Sequence, residues 1–298
     1  MLIADTHCDT LYAMGVEHVA DPVVTAEKMR AGQVSLQVCA LWSGPKGNAG
    51  DVQAILNAEM AQIPALTKAG LKWVRDPSEV MEGDNCFMLS IEGGEAFNGG
   101  IGSVADWADR GVRMAAILWN NECDIGYSAK SGDKRGLKPY GVRVAKELQK
   151  HRMAVDVSHL NEAGFHDLFL KTDHVPMASH SCCRALCDHF RNLTDEQIRM
   201  LIRDGGYIGV NFYPWFLHES GKADLNILFS HIDRICQMGG AKNVGFGSDF
   251  DGIECMPEGL NGPQDIPALL DKMRKNGYPE ETVEDIAGRN LAGYFSRL

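Results

Sequence analysis

Eight short apolar runs, spread along the whole chain and each followed by helical patterning, constrain the fold more than any other feature. They are "MLIAD", "VSLQVCALW", "CFMLSIEG", "VRMAAILW", "MAVDVSH", "HVPMASH", "YIGVNFY" and "NVGFGSDF". The runs are continuously apolar rather than alternating, as expected of parallel strands covered on both faces. The stretches between them read as helices. "DVQAILNAEMAQIPALTKAG" carries apolar residues at helical spacing and ends in Gly70. "YGVRVAKELQKH" leads into the fifth run, and "ADLNILFSHIDRICQMGG" into the eighth. "TDEQIRMLIRDGG" opens on Thr194 with Gln197 three residues on, a capping box. Strand and helix alternating eight times predict an α/β fold of the (β/α)8 TIM-barrel type, one domain over residues 1–298. "PEETVEDIAGRNLAGYFSRL" is then a C-terminal helical tail packed outside the barrel. An open doubly wound sheet is the alternative.

Bulk properties narrow the setting. A net charge of −11 argues against nucleic acid and anionic membranes as partners, since both are negative themselves. No apolar run approaches the roughly 20 residues needed to cross a bilayer. An acid already stands at residue 5, so no signal-type apolar core opens the chain, and a soluble, cytoplasmic protein is expected. Nine cysteines, an odd number without short disulfide spacing, read as reduced and mostly buried thiols.

The chemistry sits at the ends of the runs. The first delivers His7 and Asp9, the third Glu92, the fifth His159, the sixth His180 and the eighth Asp249. In a barrel the C-terminal strand ends converge on one face, where active sites form. Residues i and i+2 of a strand point the same way, so His7 and Asp9 are expected side by side at the mouth. Imidazoles and carboxylates without thiolates suit a catalytic zinc site with open positions. Three of each are too many for one ion and suit two. A carboxylate can bridge a metal pair, and Glu92, from a middle strand, is the natural bridge. Two zinc ions carry four positive charges; Asp9, Glu92 and a bridging hydroxide supply three negative ones. Asp249 supplies the fourth if ionised, so its role need not be ligation; it can take the proton of the attacking water and pass it on.

Taken singly, each of these residues has an ordinary structural reading, and their joint placement is what favours metal. His18, His151, His166, His174, His189, His218 and His231 lack that placement and receive no role. Asp5 reads as a turn cap and Asp251 as the closure of the loop after Asp249. "HSCCRALC" lacks paired C-x-x-C spacing. "EGGEAFNGGIG" is not followed by Gly-Lys-Ser/Thr and reads as room for the backbone near a site.

The stretches "DTHCDT", "IEGGE", "GVRMAAILWNN", "DVSHL", "VPMASHS", "RNLTDEQI", "VNFY" and "GFGSDFDG", in this order over nearly the whole chain, resemble the membrane (renal) dipeptidase family of the metal-dependent amidohydrolases. The resemblance implies a binuclear zinc dipeptidase in a (β/α)8 barrel. It pairs His7 and Asp9 on one ion and His159 and His180 on the other, bridged by Glu92, with Asp249 as catalytic acid/base. It also assigns Arg191 to the substrate's terminal carboxylate. One departure stands out. Some members carry a histidine after the fourth strand that contacts the scissile carbonyl; here the position is Trp119, followed by Asn120. Both are therefore candidates for substrate contact, and substrate range is where the departure bears.

The expected function is hydrolysis of dipeptides by a bridging metal hydroxide, with a small dipeptide as partner and homo-oligomerisation left open. A related binuclear amidohydrolase acting on N-acyl amino acids or cyclic amides is the alternative. A non-catalytic metal-binding barrel is a third reading, which the presence of Asp249 disfavours.

Overall fold

The computed structural model of the chain describes residues 1–45, 49–173 and 175–298. His174, which opens the sixth apolar run, lies outside the described residues. Each of the eight runs contains a parallel strand: β1 Ala4–Cys8, β2 Leu36–Trp42, β3 Cys86–Glu92, β4 Val112–Ala116, β5 Ala154–Asp156, β6 Met177–Ala178, β7 Tyr207–Val210 and β8 Val244–Phe246. Neighbours in sequence are neighbours in the sheet, and β1 pairs with both β2 and β8. The ring is therefore closed, and the open-sheet alternative falls. A further two-residue strand, Lys72–Trp73, pairs beside the start of β3. No helix among the described residues is long and apolar enough to cross a membrane.

Alternation along β3 shows how the barrel sorts its side chains. Phe87, Leu89 and Ile91 join the core between barrel and outer helices, whereas Cys86 and Met88 join the core inside the barrel. Glu92 continues the Cys86–Met88 parity and so arrives at the top of the interior. The first strand departs from such simple alternation. Its register against β2 shifts between Asp5 and Cys8, and Asp9 lies beyond the strand as the N-cap of the short helix Thr10–Gly15. His7 and Asp9 thus meet through an irregular strand end followed by a helical turn, not by shared strand parity.

The C-terminal tail is placed differently from expectation. Leu291, Tyr294 and Phe295 pack with Ala4, Leu36, Met114, Ala154, Met177 and Tyr207 in the inner core. Tyr294 Oη donates to Val175 O at 2.9 Å, and Asn290 Nδ2 to Val244 O at 2.8 Å. The tail plugs the barrel at the N-terminal ends of its strands, opposite the predicted site. It reaches there because its apolar residues cover the open floor of the barrel, which no strand closes. The long helical stretch from Asp51 also differs: it is two helices, Ala49–Met60 and Ile63–Lys68. Pro64 lies in the first turn of the second, where a missing N–H is tolerated, and cannot continue the first. The Thr194/Gln197 capping box is present, with both reciprocal bonds.

All nine cysteines are free. Near the top of the barrel, two glycines let backbones approach. A Cβ on Gly247 would overlap the Ser179 carbonyl and lie 3.1 Å from the His180 Cα; one on Gly209 would overlap the same carbonyl. Gly247→Ala is therefore expected to destabilise the protein by about 1–3 kcal/mol, as overpacking does. Urea titration measures this, and parent-like stability would show that the strand ends can shift to make room.

Candidate metal centre

The six strand-end residues come together. His7 Nε2 lies 3.4 Å from Asp9 Oδ2, 3.6 Å from Glu92 Oε2 and 3.7 Å from Asp249 Oδ1. On the other side, Glu92 Oε1 lies 2.9 Å from His159 Nε2 and 3.6 Å from His180 Nε2. The two oxygens of Glu92 are thus divided between two sets of donors. Donor atoms of His7, Glu92 and His180 fall within 4.8 Å of one another, as do those of His7, Asp9 and Asp249. His7, Glu92 and His180 are almost wholly buried; Asp9 and His159 keep a small opening toward the cavity above.

Local backbone aims these groups. His159 and Asp249 both adopt left-handed conformations, with φ of 71° and 67°, as does Asp251 at 65°. Such φ values are uncommon outside glycine, with Asn, Asp and His the best tolerated, and they turn the chain sharply just past β5 and β8. Asp251 then accepts from Thr10 Oγ1 and Val23 N, both at 2.6 Å, closing the loop as its sequence position suggests. Asp5 is more than a turn cap: it accepts from Ser248 N at 2.8 Å and from the Ser248 hydroxyl, fastening β1 to the end of β8.

Supporting residues fix the imidazoles. His159 Nδ1 faces Asn120 Oδ1 at 3.0 Å. His180 Nδ1 faces Ser179 Oγ at 2.7 Å, and that hydroxyl donates to the buried Asp156. Assigned from this network, the ring proton sits on Nδ1 in both histidines. Their Nε2 lone pairs then face each other at 3.1 Å and face Glu92 Oε1 as well. Three acceptors converge with no proton among them, which calls for a cation. His7 adds to this, since neither of its buried ring nitrogens makes a hydrogen bond. Nothing in the residue types at Asp156 or Ser179 marks them as supports; only their nearness in sequence to His159 and His180 gave a signal.

The electrostatics of the cluster are uneven. Burial holds His159 down to about 4, assisted by the Arg191 guanidinium, and lowers His180 well below the imidazole norm, so both are neutral, the metal-binding form. Burial pushes Asp9 up to about 7 and also raises Asp249. Burial opposes ionisation of Glu92 too, but the positive charge favoured on His7 outweighs it and holds the carboxyl well below its usual range. Burial likewise opposes charge on His7, but Glu92 and Asp9 outweigh it and raise His7 well above its ordinary value.

Above the cluster lies a cavity of about 530 Å³, lined among others by Asp9, Glu92, Trp119, Asn120, His159, Arg191 and Asp249. Every predicted site residue is therefore at or beside one cavity. Arg191 is 5% exposed, has no acid partner among the described residues, and leaves its Nε unbonded. Its Nη2 reaches His180 O at 3.4 Å, and its guanidinium carbon lies 5.5 Å from the Phe216 ring centre. Asn120 lines the cavity while holding His159, and its carbonyl oxygen accepts from Ser128 Oγ.

The model of the membrane dipeptidase family, peptidase family M19, matches residues 1–295. The chain belongs to this family. It is a metallodipeptidase by membership, and a metal cofactor belongs to its chemistry. A Klebsiella pneumoniae protein from the pqqA 5′ region is 33% identical over 210 residues, 67% of this chain and 77% of the relative. An uncharacterized dipeptidase of Schizosaccharomyces pombe is 31% identical over 208 residues, 68% of this chain; the match spans 51% of that protein's length. Among solved structures, an M19 dipeptidase superposes with a TM-score of 0.90 at 25% identity, covering 100% of this chain and 98% of its own. A Rhodobacter sphaeroides metallopeptidase, bound to a phosphinate mimic of the dipeptide L-Ala-D-Ala, superposes equally well at 24% identity, covering 100% and 99%. The fold of the family is thus present from end to end.

If the converging acceptors hold divalent cations, removing them leaves like-charged and lone-pair groups face to face. Chelator-treated protein is expected to melt at a lower temperature, and added divalent metal to restore the midpoint in a concentration-dependent way. Differential scanning calorimetry checks this; a midpoint indifferent to chelator and metal would show that the cluster is self-sufficient.

Proposed function

We propose that this metallodipeptidase acts through two zinc-type ions. His7 and Asp9 would hold one, His159 and His180 the other, and Glu92 both. The division of the two Glu92 oxygens between the two donor sets is the observation that carries this reading. When bound, such a pair lowers the pKa of a shared water and polarises a carbonyl.

The chain's own groups supply the rest. Asp249 Oδ2 accepts from Asn211 Nδ2 at 2.8 Å, which pins the carboxylate and leaves Oδ1 on the His7 side. From there it takes a proton from the attacking water and hands it to the leaving amine. Arg191, buried without a carboxylate of its own, is suited to the free carboxylate of a dipeptide, since its planar fork can pair both oxygens. Asn120, Ser179 and Asp156 hold the histidine rings in the tautomer that presents Nε2. Trp119 stands where some family members place a histidine; its indole N–H can donate to a carbonyl oxygen but brings no positive charge to polarise it.

Asp249→Asn keeps the shape and loses the proton shuttle, so kcat is expected to fall about 10²–10⁴-fold with metal content retained. A variant within about threefold of the parent would remove Asp249 from that role. Ser179→Ala, which frees His180 Nδ1, is expected to cost about 10–100-fold in metal affinity, measured by competition with a chromophoric chelator. Arg191→Ala is expected to cost roughly 2–4 kcal/mol in kcat/KM for dipeptides, with Arg191→Lys recovering only part. Dipeptide amides should be poor substrates of the parent and nearly indifferent to the change. Equal cleavage of a dipeptide and its amide would instead favour a broader amidohydrolase acting on N-acyl or cyclic amides.

A further inference from the structure

The cavity has two unlike walls. On one side Arg191, after β6, is backed by Phe216, after β7. Across the mouth, three aromatic rings stand in contact. Tyr12, after β1, meets Trp42 at the end of β2 with ring centres 4.5 Å apart, and Trp42 meets Trp119, after β4, at 4.8 Å. Trp119 in turn lies 6.2 Å from the His159 ring, so this wall begins beside the ion-binding cluster. All three rings line the cavity and are only half-buried. In an eight-stranded ring β2 and β6 lie opposite one another, so the aromatic wall faces the arginine with the Glu92 cluster between them.

The wall is held from behind. Trp42 N donates to Glu59 Oε1 at 3.0 Å, and Glu59 is 0% exposed in the helix Ala49–Met60. Nothing in the hydrolytic chemistry uses Glu59; its position explains why a carboxyl is buried there. Arg191 is also the one lysine or arginine among the described residues lining the cavity, whereas Glu17 and Glu254 line its rim.

We propose that Tyr12, Trp42 and Trp119 form the subsite for the N-terminal residue of the substrate, and that it selects bulky apolar side chains, aromatic ones first. The proposal rests on the dipeptidase reading above. With the terminal carboxylate at Arg191 and the scissile carbonyl over the Glu92 cluster, the remaining residue points away from Arg191, toward the aromatic wall that starts at Trp119 beside His159. Rings pack against rings in offset and edge-to-face arrangements that a small side chain cannot exploit. An acidic side chain would meet no cation on that side and the negative charge of Glu17 nearby.

The test is a kcat/KM series on the metal-loaded parent with Gly-Ala, Leu-Ala, Phe-Ala and Glu-Ala. Phe-Ala is expected to exceed Gly-Ala by at least about tenfold, with Leu-Ala between them and Glu-Ala lowest. Trp42→Ala and Trp119→Ala are expected to collapse the Phe-Ala to Gly-Ala ratio toward one, and Trp119→Phe to keep part of it. Equal or better turnover of Gly-Ala or Glu-Ala by the parent overturns the proposal, as does a ratio that survives both alanine variants. Should a variant fail to fold, the parent series decides alone. Hydrolysis of none of the four would refute the dipeptidase reading itself, which is a different result from hydrolysis without preference.

Discussion

A single buried carboxylate organises the top of this barrel. Glu92 ends β3 with one oxygen toward His7 and the other toward His159 and His180. Burying several ionisable groups together is costly unless each is compensated, and the hydrogen-bond network assigns no proton to the space between Glu92 Oε1 and the two Nε2 atoms. A bound metal cation would compensate what these groups leave unbalanced. The surrounding structure reads as provision for that state. Asn120 fixes one ring, Ser179 with Asp156 fixes another, Asn211 fixes Asp249, and Asp5 with Ser248 ties the two strands that carry His7 and Asp249. Such outer partners set orientation and basicity of ligands as much as the ligands themselves do.

Stability and chemistry are kept at opposite ends of the ring. The floor is filled by apolar side chains and plugged by the tail through Leu291, Tyr294 and Phe295. The mouth carries left-handed conformations at His159, Asp249 and Asp251; others stand at His18, and at Gln33 and Arg152 just before β2 and β5. Strain of this kind persists where the neighbouring structure fixes it, and at the mouth the closed sheet and the loop bonds of Asp251 do so. Above the charged floor of the site, an arginine and an aromatic wall face each other across a gap suited to a short substrate.

The eight strands and the six polar residues at their ends were legible in the sequence because parallel strands read as contiguous apolar runs, and a histidine or acid at the end of such a run stands out. What was not legible depended on three-dimensional closure. The irregular end of β1 puts Asp9 outside the strand, a detail that alternation in "LIADTHCDTL" cannot express. The tail has the same amphipathic pattern whether it covers the flank or the floor of a barrel, so its position follows only from the ring being open below. Asp156, Ser179 and Asn211 are ordinary polar residues of strand ends, and their roles appear only when β5, β6 and β7 are side by side. Trp42 reads as one more apolar residue of β2, and joins Trp119 only because β2 and β4 curve around the same mouth.

On the reading proposed here, hydrolysis depends on two ions at the Glu92 cluster. Stepwise zinc titration of chelator-stripped protein, with metal bound and dipeptide turnover followed on the same sample, measures this most directly. Activity is expected to saturate as binding reaches two ions per chain. Full activity at one ion, or turnover that does not respond to metal, would contradict it.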